Sequence, residues 1–137
     1  MNDTLWSLEW QTLQNQFDSY EKYSLLIKLC SLLMATFGLL FQRESASLIA
    51  FVLIAWLMDA IWKTFQGRFE DRLLFIEAQL ENQRTGVFGC QFNRSFQQRR
   101  PGLTQLLKDY CRHALRPTVA VIHGAIVMVV SRALIFN

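Results

Sequence analysis

Charge is scarce in this chain. Of its 137 residues 18% are Asp, Glu, Lys or Arg, where a soluble domain usually carries about a quarter. The shortage argues against a soluble helical bundle, whose helices would each show a polar face. Cysteine is scarce too: Cys30, Cys90 and Cys111 are scattered along the chain. Cys111 and His113 form a Cys-x-His pair that Cys90 would have to join at a metal, and no CxxC supports it. Three loose ligands fall below a zinc signature, so ordinary packing thiols are expected, and neither a metal nor another cofactor. A basic segment ahead of the first apolar run, which starts only at residue 23, is missing, and this speaks against a cleavable signal peptide. HExxH, GxSxG, P-loop and paired catalytic carboxylate motifs are missing as well, which leaves an enzyme as the remotest reading.

What is abundant is apolar: 52% of the residues are hydrophobic. Tyr23–Phe41 is broken only by Lys28, Ala46–Trp62 carries the single charge of Asp59, and Thr118–Phe136 is interrupted by His123 and Arg132. Each approaches or reaches the length of about 18 to 20 residues that crosses a bilayer as helix. Three spans are therefore expected, the first acting as an uncleaved anchor. The turn at 42–45 carries only Arg43, whereas ten Lys and Arg side chains lie between Lys63 and Arg116. The positive-inside rule then places 63–117 and the N-terminus in the cytoplasm and the C-terminus outside. There the thiols of Cys90 and Cys111 would stay reduced. The expected organisation is an amphipathic helix over 1–22, a transmembrane hairpin over 23–65, cytoplasmic helices and a loop over 66–116, and a third transmembrane helix over 117–137.

Residues 4–22 open with Thr4 as a plausible cap and place Trp6, Trp10, Leu13, Phe17 and Tyr20 on one helical stripe,. The other face holds Glu9, Gln14, Asp18 and Glu21. A helix lying on an anionic bilayer usually has a basic polar face. This one is acidic, so a protein surface is expected to cover the stripe. That surface is either the chain's own cytoplasmic helices or a partner docking on Trp6, Trp10, Leu13 and Phe17. Span two keeps helical spacing through Trp62, Phe65, Phe69, Leu73, Ile76 and Leu80, with Gly67 as a weak point. From Ala46 to Arg84 this predicts about 58 Å of helix.

Thr85 to Gly102 breaks the pattern and reads as a loop. Phe88, Phe92 and Phe96 inside it fit either a short helix or a dip into the interface. Leu103–Arg116 is a second amphipathic helix, and Pro117 suits the first turn of span three. Arg99, Arg100, Lys108, Arg112 and Arg116 are candidates for anionic lipid headgroups, at about 1 kcal/mol per well-placed cation. The same cations are also the positive-inside signal. The +3 net charge is explained by topology, and nucleic-acid binding is not expected.

A carboxylate near the bilayer centre costs roughly 2.5–3.5 kcal/mol, and less toward the interface. Asp59 therefore needs a partner. Lys28, Asp59 and His123 all fall within roughly 4 to 8 Å of the same interface at 1.5 Å per residue, so they are expected to form one polar layer. Lys28 would pair with Asp59 and His123 would donate to the same carboxylate. Lys28, Ser31, Ala35 and Gly38 make a stripe of polar and small groups on span one. Val52, Ala55 and Asp59 share a face of span two, and Ala120, Gly124 and Met128 one of span three. Small residues let helices approach closely in a bilayer, so Ser31, Ala35, Gly38, Ala55, Ala120 and Gly124 are expected at helix contacts. Arg132 is most simply a snorkelling anchor.

Trp56-Leu57-Met58-Asp59-Ala60 running into Phe69-Glu70-Asp71-Arg72-Leu73, with Leu115-Arg116-Pro117-Thr118 opening the last span, resembles an uncharacterised family of small bacterial three-span membrane proteins. More loosely, an N-terminal helix, two spans and a long cytoplasmic helix are similar to SLATT-type membrane effectors of bacterial conflict systems, a resemblance that implies pores formed when triggered. The expectation is an all-α membrane protein of the inner membrane, a homo-oligomer in contact with the lipid bilayer. Its leading function is a pore or ion-permeation assembly, with a defence effector as one form of it. The alternative is a non-conducting scaffold or accessory subunit that docks a cytoplasmic protein partner.

Overall fold

The computed structural model describes residues 2–41, 45–81, 92–98 and 101–136. Among these the chain is all helix and contains no strand. Five helices follow in order: α1 (Asn2–Leu40), α2 (Ser45–Glu81), α3 (Phe92–Gln98), α4 (Leu103–Ala114) and α5 (Pro117–Phe136).

The expected helix over 1–22 and the first apolar span are not separate elements. They are two halves of α1, a single helix of 39 residues about 58 Å long. The reason is local: no Gly or Pro occurs between Asn2 and Phe37, so nothing stops a nucleated helix from propagating. α2, with 37 residues, continues from the apolar segment into the charged one as expected and passes through Gly67 as helix. The two are long and apolar enough to cross a membrane, which is consistent with a membrane protein. α4 and α5 meet that criterion only as a pair bent by 69°.

α1 and α2 form an antiparallel hairpin. Ala35 meets Leu48 and Val52 near its turn, Lys28 meets Asp59 farther along, and Glu9 meets Arg72 near the free end. At the turn end Ala35, Leu48, Val52, Ile126 and Val130 join α1, α2 and α5 in one apolar cluster. At the free end, Trp6, Leu13, Leu73 and Ile76 form a second cluster, edged by Trp10, Phe17, Phe69, Phe75 and Phe92. Of the two alternatives for the N-terminal stripe, the chain therefore uses the intramolecular one. Trp6 and Leu13 are buried against α2 and are not an open docking face, and Trp10 and Phe17 are half-buried beside them.

The Phe92–Phe96 segment forms the short helix α3. Phe92 stacks on Phe69 at 5.4 Å, and the Arg68 guanidinium lies 4.6 Å from the Phe96 ring centroid, within cation–π range. Phe88 lies outside the described residues. Pro117 opens α5 as expected, after a two-residue elbow at Leu115 and Arg116. Trp56 Nε1 donates to the Ala114 carbonyl at 3.0 Å, which supplies a partner to one of the carbonyls that the end of α4 leaves without an intrahelical one.

Two glycines separate a packing role from a merely tolerated one. A Cβ at Gly38 would overlap the Leu48 side chain, whereas one at Gly67 would meet His113 only at ordinary contact, 3.5 Å. Gly67→Ala is accordingly expected to raise the unfolding free energy by about 0.5–1 kcal/mol, the helix penalty of glycine. Gly38→Val is expected to lower it by about 1–3 kcal/mol through overpacking. Denaturant unfolding of the detergent-solubilised protein reads both; equal and small effects would show that α1 and α2 do not close on Gly38.

Candidate functional site

The stripe on α1 faces inward as expected: Lys28, Ser31, Ala35 and Gly38 are all buried. Opposite them on α2, Val52 and Asp59 are buried and Ala55 is half-buried. Asp59 is wholly inaccessible, and the expected ion pair is present, with Lys28 Nζ 2.9 Å from Asp59 Oδ2.

Ser24 completes the arrangement. Its hydroxyl accepts from Lys28 Nζ at 2.6 Å and donates to Asp59 Oδ1 at 2.5 Å. The ammonium and the carboxylate are thus joined twice, once directly and once through Ser24. The sequence reading omitted Ser24, although the signal was there. It stands one helical turn before Lys28, where the spacing of the stripe extends to 24, 28, 31, 35 and 38.

His123 comes to the same carboxylate from α5, with Nε2 3.4 Å from Asp59 Oδ2. The expected hydrogen bond is not made: neither ring nitrogen has a hydrogen-bond partner among the described residues. The ring instead lies nearly parallel to Trp56, with centroids 6.1 Å apart and planes inclined by 13°.

Turning His123 inward sets the rotation of α5 and corrects the seam expected there. The buried positions are Val119, His123, Ile126 and Val130. Ala120 and Gly124 are only half-buried, Met128 is exposed, and a Cβ at Gly124 would meet nothing within 4 Å. Neighbouring helix positions differ by about 100°. A face centred on His123 therefore cannot also be centred on Gly124.

Beyond the apolar segments a second polar set links the same helices. Lys63 is buried and donates to Glu21 Oε2 at 2.5 Å and to Gln66 Oε1 at 2.9 Å. Gln66 in turn donates to Glu21 and to the Phe17 carbonyl. The bonds from Lys63 and Gln66 hold the Glu21 carboxyl below the usual carboxylate range.

Nearer the free end Arg72 grips Glu9 with two nitrogens, at 2.8 and 3.2 Å, the forked geometry that guanidinium and carboxylate favour. Glu9 is therefore not on an outward acidic face: it is 7% exposed, beside Trp6 and Leu13. Glu9 and Glu21 meet α2, while Asp18 is exposed and accepts from Gln14 within α1.

An apolar groove of about 580 Å³ runs along the hairpin, bounded by Tyr23, Ser31, Phe51, Ala55 and Trp62 among others. No charged side chain lines it among the described residues, and Lys28, Asp59 and His123 do not open into it. Of the lipid-headgroup candidates, Lys108, Arg112 and Arg116 are exposed on α4 and the elbow. Arg99 and Arg100 lie outside the described residues. Cys111 is exposed, and Cys90 is also outside the described residues. No protein-family model, curated protein or solved structure matches the chain.

The buried pair makes a double-mutant cycle decisive. Lys28→Met alone leaves an unpartnered carboxylate and is expected to cost about 3–5 kcal/mol of stability, while Lys28→Met with Asp59→Leu recovers most of that loss. A double variant as unstable as the single one would mean that the two charges do not support each other. A second expectation concerns pH. Burial, followed by the Arg116 charge, lowers the His113 pKa from its usual value of 6.5. Its neutral ring receives or donates a 2.8 Å bond at Thr64. A depressed folded-state pKa contributes stability that is complete above about pH 6.5 and is lost as pH falls through the folded value. Unfolding midpoints of wild type should fall between pH 7 and pH 5, and those of His113→Gln should fall less; parallel curves would assign the effect elsewhere.

Proposed function

We propose that the chain is a non-enzymatic subunit of a homo-oligomeric inner-membrane assembly whose role is that of a non-conducting scaffold. In this reading α1, α2 and α5 cross the bilayer, and the free end of the hairpin forms a cytoplasmic stalk beside the N-terminus. The C-terminus lies on the opposite side. The observation that carries it is the closed state of the charge layer. Asp59 is wholly buried and is matched by Lys28 and Ser24 inside one protomer. Groups that serve permeation line a water-filled cavity. These three groups face one another.

The stalk supports the same reading. Its two halves are joined by the buried Arg72–Glu9 pair and an aromatic cluster, and this gives a stiff projection on which a cytoplasmic protein partner would dock. Because the Trp6 stripe is covered, docking falls to what the stalk leaves outside, including Leu8 and Leu74, which are 58% and 59% exposed.

A pore or ion-permeation assembly, with a triggered defence effector as one form of it, is the second reading. One observation favours it: His123 is a protonatable ring with two unbonded nitrogens, buried 3.4 Å from a carboxylate. Proton and potassium flux into liposomes containing the purified protein separates the two. The scaffold reading expects flux no faster than in protein-free liposomes, for wild type and for Asp59→Asn alike. Flux in wild type that Asp59→Asn alters by tenfold or more would replace it with the permeation reading.

A further inference from the structure

Helix α4 has three faces, and among the described residues the protein packs against one of them. His113 is buried against Thr64, with Leu106, Asp109 and Tyr110 half-buried alongside. The next face carries Leu103 and Leu107, 78% and 55% exposed, with Cys111 one turn farther on. Lys108 and Arg112 are exposed on the face after that, since at 3.6 residues per turn they fall between the leucine stripe and the far side of the helix. Arg116 stands at the elbow.

The placement of α4 follows from its contacts. His113 and Ala114 are held at Thr64 and Trp56 of α2, where the apolar run ends at Trp62 and the charged stalk begins with Lys63. The axis of α4 is turned 69° from that of α5, nearer to perpendicular than to parallel. With α5 crossing the bilayer, as in the three-span reading on which this inference rests, α4 lies at the membrane boundary and close to its plane.

We propose that α4 is an in-plane membrane elbow that binds anionic phospholipid. The Leu103–Leu107 ridge enters the acyl layer, and Lys108 and Arg112, with Arg116 at the elbow, contact the negatively charged headgroups. The positive-inside rule accounts for the presence of cations in this segment. It does not account for their place on the side of α4 turned away from an exposed leucine ridge, about 100° to 180° round the helix at about 100° per residue, which is the pattern of a helix lying in the interface.

The test uses the full chain with Cys30, Cys90 and Cys111 replaced by alanine and a bimane probe on Leu107→Cys. The protein is reconstituted in phosphatidylcholine vesicles with and without phosphatidylglycerol. Quenching by lipid-attached nitroxide and protection from aqueous iodide are expected. Native mass spectrometry should show phosphatidylglycerol enriched over phosphatidylcholine among retained lipids. Lys108→Gln with Arg112→Gln should cut that preference roughly 25-fold, from about fivefold for each cation. Iodide quenching in both vesicles would place the ridge in water and overturn the proposal. So would protection from both quenchers with Cys111–Cys111 cross-linking in the unmodified chain, which would place a second copy there. A separate Asn137→Cys variant, labelled by an impermeant maleimide from the side opposite the N-terminus, tests the three-span reading independently of the probe.

Discussion

Two opposite charges buried between long apolar segments must find each other, and the rest of the structure is arranged around that requirement. An isolated charge in this setting costs several kcal/mol, while a pair whose remaining donors and acceptors are satisfied largely cancels the penalty. Lys28 and Asp59 meet at 2.9 Å with Ser24 bridging them. Once that contact is made, the sliding register of α1 against α2 is set: Ala35 then falls beside Leu48 on one side, and Glu9 beside Arg72 on the other. Steric fit at Gly38 agrees with the same register, because a Cβ there would force the Leu48 side chain out of its place. Charge and shape give one answer at two positions, which is how a helical hairpin acquires a unique alignment rather than a family of slipped ones.

The third long helix comes to the same carboxylate. His123 lies 3.4 Å from Asp59 without a hydrogen bond, and with His123 turned inward α5 presents Val119, Ile126 and Val130 to the hairpin. At the free end the solution is different in kind. There the hairpin is joined by Lys63 with Glu21 and Arg72 with Glu9, beside a cluster rich in Trp and Phe. Removal of one partner from a buried pair is more damaging than replacement of both, so Arg72–Glu9, buried on both sides, acts more as an alignment device than as a store of stability. The covered aromatic stripe and the pairing of Glu9 and Glu21 with α2 account together for an N-terminal stripe whose covering surface the sequence left open between the chain's own helices and a partner.

Legibility in the sequence followed the range of the physics involved. The continuation of α2 beyond its apolar segment was readable because hydrophobic spacing persists from Trp62 to Leu80 and is a local property. The Lys28–Asp59 contact was readable because the cost of a buried charge limits the possible partners to a few residues at equal depth. The continuity of α1 was obscured by a change of composition at residue 23, although a change of environment does not end a helix and a breaker does. The place of Glu9 was lost for a related reason. Charge alone suggested solvent, whereas the residue sits three positions from Trp6 and within reach of Arg72, a partner 63 positions away in the chain. The seam on α5 was misassigned because small residues mark close approach only if the helix is turned that way, and the turn is decided by His123.

By itself, then, the amino-acid sequence determined that the chain is helical and membrane-apolar, that its second helix runs past the apolar segment, and that Lys28 and Asp59 share a layer. These follow from periodicity, hydropathy and the penalty on buried charge, all of which act on short segments or on depth. The tertiary structure alone decided that the layer includes Ser24 and closes within one chain, that α5 is turned on His123 rather than Gly124, and that the N-terminal stripe is covered. Helix rotation and the sharing of donors among three side chains depend on the simultaneous fit of distant segments, and no single segment encodes that fit.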